Sequence, residues 1–250
     1  MNSLDYIGLV TVRTSSTRLP NKCLLPFGQG NVISHVVKRA ISYGMRPIIC
    51  TSVDSSDDIL ENIARELNVE CFRGSMKNKL KRWLDCVEKF NIECFHTIDA
   101  DDPFFDGDEM IESLELLKSQ NCDVVSPTKS SSLGGASVGY SLTRDIIKKA
   151  LQGVDDDTDT EMMWYYLEKI NDINMKVLPD TRNAPLNVRL TLDYQEDYWL
   201  LSTITRILGE NDNRHAVNQL FFKNPDLNKI NLFRSDEWKQ LQLSKKIKER

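Results

Sequence analysis

No apolar run in the chain approaches the ~20 residues needed to cross a bilayer, which excludes a helical membrane span. The first residues carry no basic segment followed by an apolar stretch and a small-residue cleavage site, so no secretory leader is expected and a cytoplasmic location is. The six cysteines show no Cys-x-x-Cys spacing, which argues against a structural zinc site and suits reduced, buried thiols. Only three histidines occur, His35, His96 and His215, with no pairing that suggests a metal site or a nucleophile–base couple. Positive charge is not in excess either. The formal net charge of −5 offers no long-range attraction to nucleic acid or an anionic membrane. Internal repeats and low-complexity linkers are absent. What remains, at 40% hydrophobic and 28% charged residues, is the composition of an ordinary globular domain.

The first half alternates short apolar runs with longer amphipathic segments. Strands are expected at 6–12, 47–52, 69–72, 93–98 and 122–126, with helices near 32–41, 57–67, 80–90 and 107–117. That alternation predicts βαβ units in an α/β, doubly wound, mainly parallel sheet with helices on both faces. After residue 126 the rhythm changes. A Ser- and Gly-rich stretch at 128–136 reads as a mobile loop, its 130–135 portion a candidate lid. Then come a strand at 138–142, helices at 143–151 and 160–170, strands at 175–178 and 186–192, and a helix at 198–208. The organisation expected is one domain over 1–217, with an insert at about 128–185 for acceptor binding or dimerisation, and an appendage of unknown role at 218–250.

The most informative stretch is 12–22, which packs Arg13, Arg18 and Lys22 among the hydroxyls of Thr14, Ser15, Ser16 and Thr17 directly after the first strand. A polar loop leaving a strand end is where open α/β sheets hold ligands. Backbone N–H groups in a tight loop form anion-binding nests, and the cations add full charge. Two readings follow: a loop that grips a polyphosphate, or a solvated basic turn. Two acidic sites follow expected strands, Asp99, Asp101 and Asp102 after 93–98 and Asp193 after 186–192. They read either as Mg2+ ligands for a nucleotide or as turn and cap residues.

Arg-x-x-Ser-Thr-Arg-Leu-Pro-x-Lys, from Arg13 to Lys22, resembles the N-terminal signature of the cytidylyltransferases that make CMP-activated sugars, such as CMP-Kdo and CMP-sialic acid synthetases. The overall layout is most similar to the spore-coat polysaccharide cytidylyltransferase-like group. Further similarity lies in Ala100-Asp101-Asp102-Pro103, in Leu192-Asp193-Tyr194-Gln195-Glu196-Asp197, and in Phe72-Arg73-Gly74-Ser75 followed by Asn78 to Arg82. The resemblance implies a Rossmann-like nucleotidyltransferase that uses CTP and Mg2+, with Asp101 and Asp193 as metal ligands and Asp99 and Asp102 acting through water. It implies catalytic roles for Arg13 and Lys22 and nucleotide binding by Arg13, Ser16, Thr17, Arg18, Lys22, Arg73, Gly74 and Ser75, with Arg73 reading the base. Arg82 reads as a helix-surface cation. Glu161 lies where the group has a Glu-His pair, Met162 replacing the histidine. Glu161, Arg189 and Arg182 are candidates to meet a small anionic acceptor, with Trp164 or Tyr165 walling the pocket. Relatives of this kind pair as homodimers. A transferase for another base, or a non-catalytic nucleotide-binding protein of the same fold, stays open from sequence, although the glycine-rich start of the guanylyl- and thymidylyltransferases is absent.

Overall fold

A computed structural model of the chain describes residues 6–132, 136, 138–180, 184, 187–210, 212–238 and 240. In chain order the main elements are β1 (Ile7–Thr11), the short hairpin β2 (Pro26–Phe27) and β3 (Gly30–Asn31), α1 (Val32–Ser42), β4 (Arg46–Ser52), α2 (Asp58–Glu66), β5 (Glu70–Gly74), α3 (Lys79–Lys89), β6 (Cys94–Asp99) and α4 (Gly107–Ser119). There follow β7 (Val124–Ser126), α5 (Lys129–Ser132), β8 (Ser141–Thr143), α6 (Arg144–Ala150), α7 (Trp164–Leu167), β9 (Met175–Val177), α8 (Gln195–Leu208) and α9 (Arg214–Lys223).

Seven strands form one sheet in the order β5-β4-β1-β6-β8-β7-β9. All pairings are parallel except those of β8, which runs antiparallel to β6 and β7. Alternate residues of β1 serve the two faces. Val10 packs into a core with Ile33, Val36 and Val37 of α1, Leu60 of α2 and Met110 of α4. Ile7 and Leu9 face the other way, onto Leu80 and Trp83 of α3 and Ile146 of α6. The expected doubly wound sheet is therefore present. From β1 the chain winds outward through β4 and β5, then crosses back to β6 on the other side of β1. That reversal is the topological switch point, where such sheets open a crevice at their strand ends.

Three local expectations need correction. Residues 188–192 form no strand, although their apolar and polar positions alternate. Val188, Leu190 and Leu192 turn instead into a third core with Leu200, Leu201 and Ile204 of α8 and Val217 and Phe221 of α9. The helix expected at 160–170 is only α7, because Thr160 is buried and its hydroxyl accepts from Leu80 N at 3.0 Å and donates to Asn78 Oδ1 at 3.0 Å. The candidate lid is not free at its start. Ser130 N and Oγ both donate to Asp180 at 2.9 Å, and Ser131 Oγ donates to buried Glu109 at 3.0 Å. Residues 133–135 and Arg182 lie outside the described residues. The expected boundary after residue 217 falls inside α9, whose Val217 and Phe221 belong to the third core.

The six cysteines are free, four of them buried. His96 is fully buried between Ser141 Oγ and Val138 O, and burial pushes its pKa down to about 4. His35, against Pro103 O, is lowered to about 4 for the same reason, so both imidazoles are neutral structural groups.

Candidate active site

The basic loop leaves β1 at the switch point. In the β1–β6 register Thr11 faces Asp99, and Ala100 N donates to Thr11 O, which sets the basic loop beside the acidic one. Within the basic loop, Lys22 N donates to Leu19 O at 3.2 Å and Asn21 has φ 53°. Pro at the second position of such a turn and a positive φ at the third is the type II pattern, which asparagine tolerates. The Leu-Pro-Asn wedge thereby aims Lys22 across the crevice.

Lys22 Nζ lies 2.6 Å from Asp101 Oδ2, 2.9 Å from Asp193 Oδ1 and 2.8 Å from Leu192 O. Its side chain is 16% exposed. Burial alone would lower its pKa, but the two carboxylates outweigh burial and hold it above the ordinary lysine range. Arg18 pairs with Asp193 as well. Asp193 reaches this position without a strand, through the bond from Leu192 N to Asp101 O at 2.7 Å. Burial would raise its pKa, and Lys22 and Arg18 more than offset that and hold it below the usual carboxylate range. Asp99 behaves oppositely, raised to about 6, chiefly by burial. Burial, with Asp101 and Asp99 nearby, raises Asp102 well above the usual carboxylate range too, and its Oδ1 has no hydrogen-bond partner among the described residues.

The donor set fits a hard divalent cation. Oxygens of Asp101 and Asp193 already converge on one ammonium, and a buried carboxyl oxygen nearby lacks a partner. Among the described residues no cluster of three or more metal-ligating side chains exists. Two carboxylates are nevertheless what Mg2+ takes when phosphate and water complete its shell.

On the flank of this cluster, Arg13 donates to Met76 O at 2.9 Å and pairs with Glu161 at 3.5 Å. Glu161 also meets Lys79 at 3.2 Å, and the Lys79 charge holds its pKa low. Arg82 is no surface cation. It is 1% exposed and donates to Ser75 O at 2.7 Å, so it pins the 75–76 turn from below. Ser75 Oγ accepts from Asn78 N, and Asn78 caps α3. A Cβ at Gly74 would sit 2.7 Å from the Phe72 ring and 3.1 Å from Arg82 Cγ, so any larger residue forces a neighbouring side chain to shift.

Two expected site residues are placed otherwise. Arg73 donates to Ser52 O and Asp54 O at 3.0 and 2.8 Å and pairs with Asp58 at 2.7 Å, so its guanidinium staples β5 to the β4–α2 connection. Arg189, 3% exposed, is bound to Asp197 at 2.8 and 2.9 Å, so it braces the Asp193 loop. Ser16 and Thr17 lie on the outer part of the loop, Ser16 N donating to Thr14 O at 2.8 Å. Tyr140 and Trp164 stack edge-to-face at 4.5 Å near the Glu161 side.

Sequence reasoning missed Asp57. This carboxylate is 1% exposed and accepts from Thr14 N and Oγ1 at 2.8 Å, Thr51 Oγ1 at 3.0 Å and Ser52 Oγ at 2.5 Å. Burial would raise its pKa, but the donors from Ser52 and Thr14 outweigh it and keep the group ionised. Asp57 thus fastens the base of the basic loop to the end of β4. Its signal in the sequence, an Asp before α2, is that of any helix start. Asp57→Ala is expected to lower unfolding free energy by about 3 kcal/mol, since it strands several buried donors. Urea denaturation checks that figure, and calorimetry with CTP should show binding weakened by about tenfold or more if the loop loses its anchor.

The family described as cytidylyltransferase matches residues 7–195 of the chain. Spore coat polysaccharide biosynthesis protein SpsF of Bacillus subtilis (strain 168) is 26% identical over 234 residues, covering 89% of this chain and 96% of that protein. Among solved structures, a cytidylyltransferase from Leptospira borgpetersenii serovar Hardjo-bovis (strain JB197) superposes with a TM-score of 0.79 at 23% identity, over 89% of this chain and 96% of its own. CMP:2-keto-3-deoxy-manno-octonic acid synthetase complexed with CTP superposes with a TM-score of 0.63 at 13% identity, over 81% of this chain and 99% of its own. At these identities the two structures speak to the fold, which is the Rossmann-like nucleotidyltransferase arrangement.

Proposed function

The chain belongs to the cytidylyltransferase family and is a nucleotidyltransferase, and from that premise we propose that it transfers CMP from CTP to a small anionic acceptor with release of pyrophosphate, in the making of a surface polysaccharide or glycoconjugate. The observation that carries the reading is the convergence of Arg18, Lys22, Asp101 and Asp193 on one point at the switch of the sheet. Cations from one loop and carboxylates from two others meet there, which suits a triphosphate bound with a divalent ion. The role of the spore coat relative supports the polysaccharide context.

In the proposed reaction an acceptor oxygen forms a bond to the α-phosphorus in line with the α–β bridging oxygen. That bridging bond breaks, pyrophosphate leaves with its electron pair, and the proton of the acceptor hydroxyl passes to solvent. Asp101 and Asp193 would hold Mg2+, which when bound neutralises phosphate charge and acidifies an acceptor hydroxyl. Lys22 and Arg18 then turn their donors to the phosphates, and Arg13, steadied by Glu161, faces the same anion. These cations would stabilise charge growing on the leaving group, where aligned donors act most strongly. The reading assigns no role to a histidine: His35 and His96 are buried and held by Pro103 O and by Val138 O and Ser141 Oγ, and His215 is an exposed residue of α9. Sugar acids such as Kdo or a nonulosonate, and phosphonate-type acceptors, fit the anionic requirement.

The test is an acceptor screen with CTP, the other nucleoside triphosphates and Mg2+, reading pyrophosphate and identifying the product by mass. A CMP conjugate of one acid supports the reading. Turnover of another nucleotide in preference to CTP, or CTP binding with no turnover on any acceptor, contradicts it.

A further inference from the structure

The family match ends at residue 195, yet the chain beyond it returns to the site. After α9, the 3-10 turn Pro225–Ile230 brings Asn231 and Arg234 back to the start of α8. Asn231 is 0% exposed. Its Nδ2 donates to Arg189 O and to Asp197 Oδ1, each at 2.9 Å. Asp197, also 0% exposed, holds the Arg189 guanidinium with both oxygens and accepts from Asp193 N at 2.9 Å and Tyr194 N at 3.0 Å. One carboxylate therefore fixes the backbone at Asp193, and Asn231 fixes that carboxylate. Outside it, Arg234 binds Glu196 at 3.1 and 2.8 Å and lies 4.9 Å over the Tyr194 ring. The same ring is flanked by Arg18 at 5.6 Å and Arg189 at 5.4 Å.

We propose that residues 225–234 are a clasp for the catalytic site, and that Asn231 is a positioning residue acting on Asp193 through Asp197 and Arg189. The proposal rests on the reading of Asp193 as a metal ligand. Packing alone does not explain an asparagine here. Its Oδ1 is buried with no partner among the described residues, a cost that a leucine of similar volume would not carry. Its amide nitrogen, by contrast, is matched to two acceptors. The consequence reaches Asp193 through charge. Arg189 Nη2 lies 2.9 Å from Asp197 but 3.4 Å from Asp193 Oδ2. While Asn231 holds Asp197 in place, Arg189 stays on Asp197. Released, the guanidinium closes on Asp193, competes with a metal for it and shifts its backbone. Partners behind a metal ligand of this kind typically change metal affinity or activity by about 10–100-fold.

The experiment compares the full-length wild type with Asn231→Leu, Asn231→Asp and Arg234→Ala. Free Mn2+ is followed by electron paramagnetic resonance at fixed CTP, beside pyrophosphate release against Mg2+ and a melting curve. In Asn231→Leu the half-saturating metal concentration is expected to rise about 10–100-fold, while CTP binding without metal changes less than about threefold. Asn231→Asp, which sets a carboxylate against Asp197, shifts in the same direction. A wild-type metal curve in folded Asn231→Leu, whatever its melting temperature, overturns the proposal. Should that variant not fold, Arg234→Ala decides, since the Arg234 side chain is 29% exposed. A shift of about three- to tenfold supports the clasp, and none overturns it. A wild type without metal-dependent CTP turnover overturns the underlying functional reading, whereas an active wild type with unaltered variants overturns the clasp alone.

Discussion

Replacing Asp101 with asparagine is expected to reduce CTP-dependent pyrophosphate release by about a thousandfold, roughly 4 kcal/mol of lost transition-state stabilisation. Asp101 and Asp193 are the two carboxylates at the centre of the site, and an amide keeps the shape of one while removing its charge. With a single anionic ligand left, a bound metal would be held less well and would neutralise less charge where the α–β bond breaks. The fold should survive. Asp101 has a 30% exposed side chain and its backbone carbonyl, which accepts from Leu192 N, is untouched. A steady-state assay alongside a melting curve separates the two effects. Near-wild-type turnover in a folded Asp101→Asn protein would remove Asp101 from the metal site.

The second large effect is expected at Lys22. In Lys22→Met, turnover should fall by about 10^2–10^3-fold, the usual loss when one preorganised donor to a developing anion is removed. A distinct consequence concerns the protein without nucleotide. The ammonium neutralises Asp101 and Asp193 together, and it is the one cation paired with Asp101 among the described residues. Asp193 retains Arg18 and Arg189, but the Asp101 carboxylate retains no other cation among the described residues. The variant should therefore melt at lower temperature than the wild type. Added Mg2+ should raise its melting temperature more than it raises that of the wild type, because a divalent ion would fill the place left by the ammonium. Equal metal shifts in the two proteins would mean that Lys22 and the metal do not share those carboxylates.

Most of the sheet and half of the site were legible in the sequence because they depend on local signals. Apolar runs of strand length between amphipathic helices specify βαβ units, and the cations of 12–22 lie in one loop. What sequence could not show was which distant groups answer those cations. The alternation at 188–192 has a true period of two, but its apolar side faces α8 and α9 and not a neighbouring strand. Arg73 and Arg189 looked available because a charge in a sequence carries no partner. In the fold, carbonyls and carboxylates from other segments hold both. Arg82 reads as a surface cation for a similar reason, since a buried arginine that donates to Ser75 O has the same spacing as a surface one. Asp57 and Asn231 act by hydrogen bonding across 43 and 34 residues, distances at which a single sequence offers no pattern. The 218–250 segment reads as an appendage because it is polar, yet Asn218, Phe221 and Asn231 within it are buried.

Arg18, Lys22, Asp101 and Asp193 are proposed to form a clamp for the metal and triphosphate of CTP. Calorimetric titration of CTP into the wild-type protein, with Mg2+ and then with chelator, tests it most directly. Binding is expected to weaken by about tenfold or more when the metal is removed, and to lose this metal dependence in Asp193→Asn. CTP binding of equal strength with and without metal, or metal dependence that persists unchanged in Asp193→Asn, would contradict it.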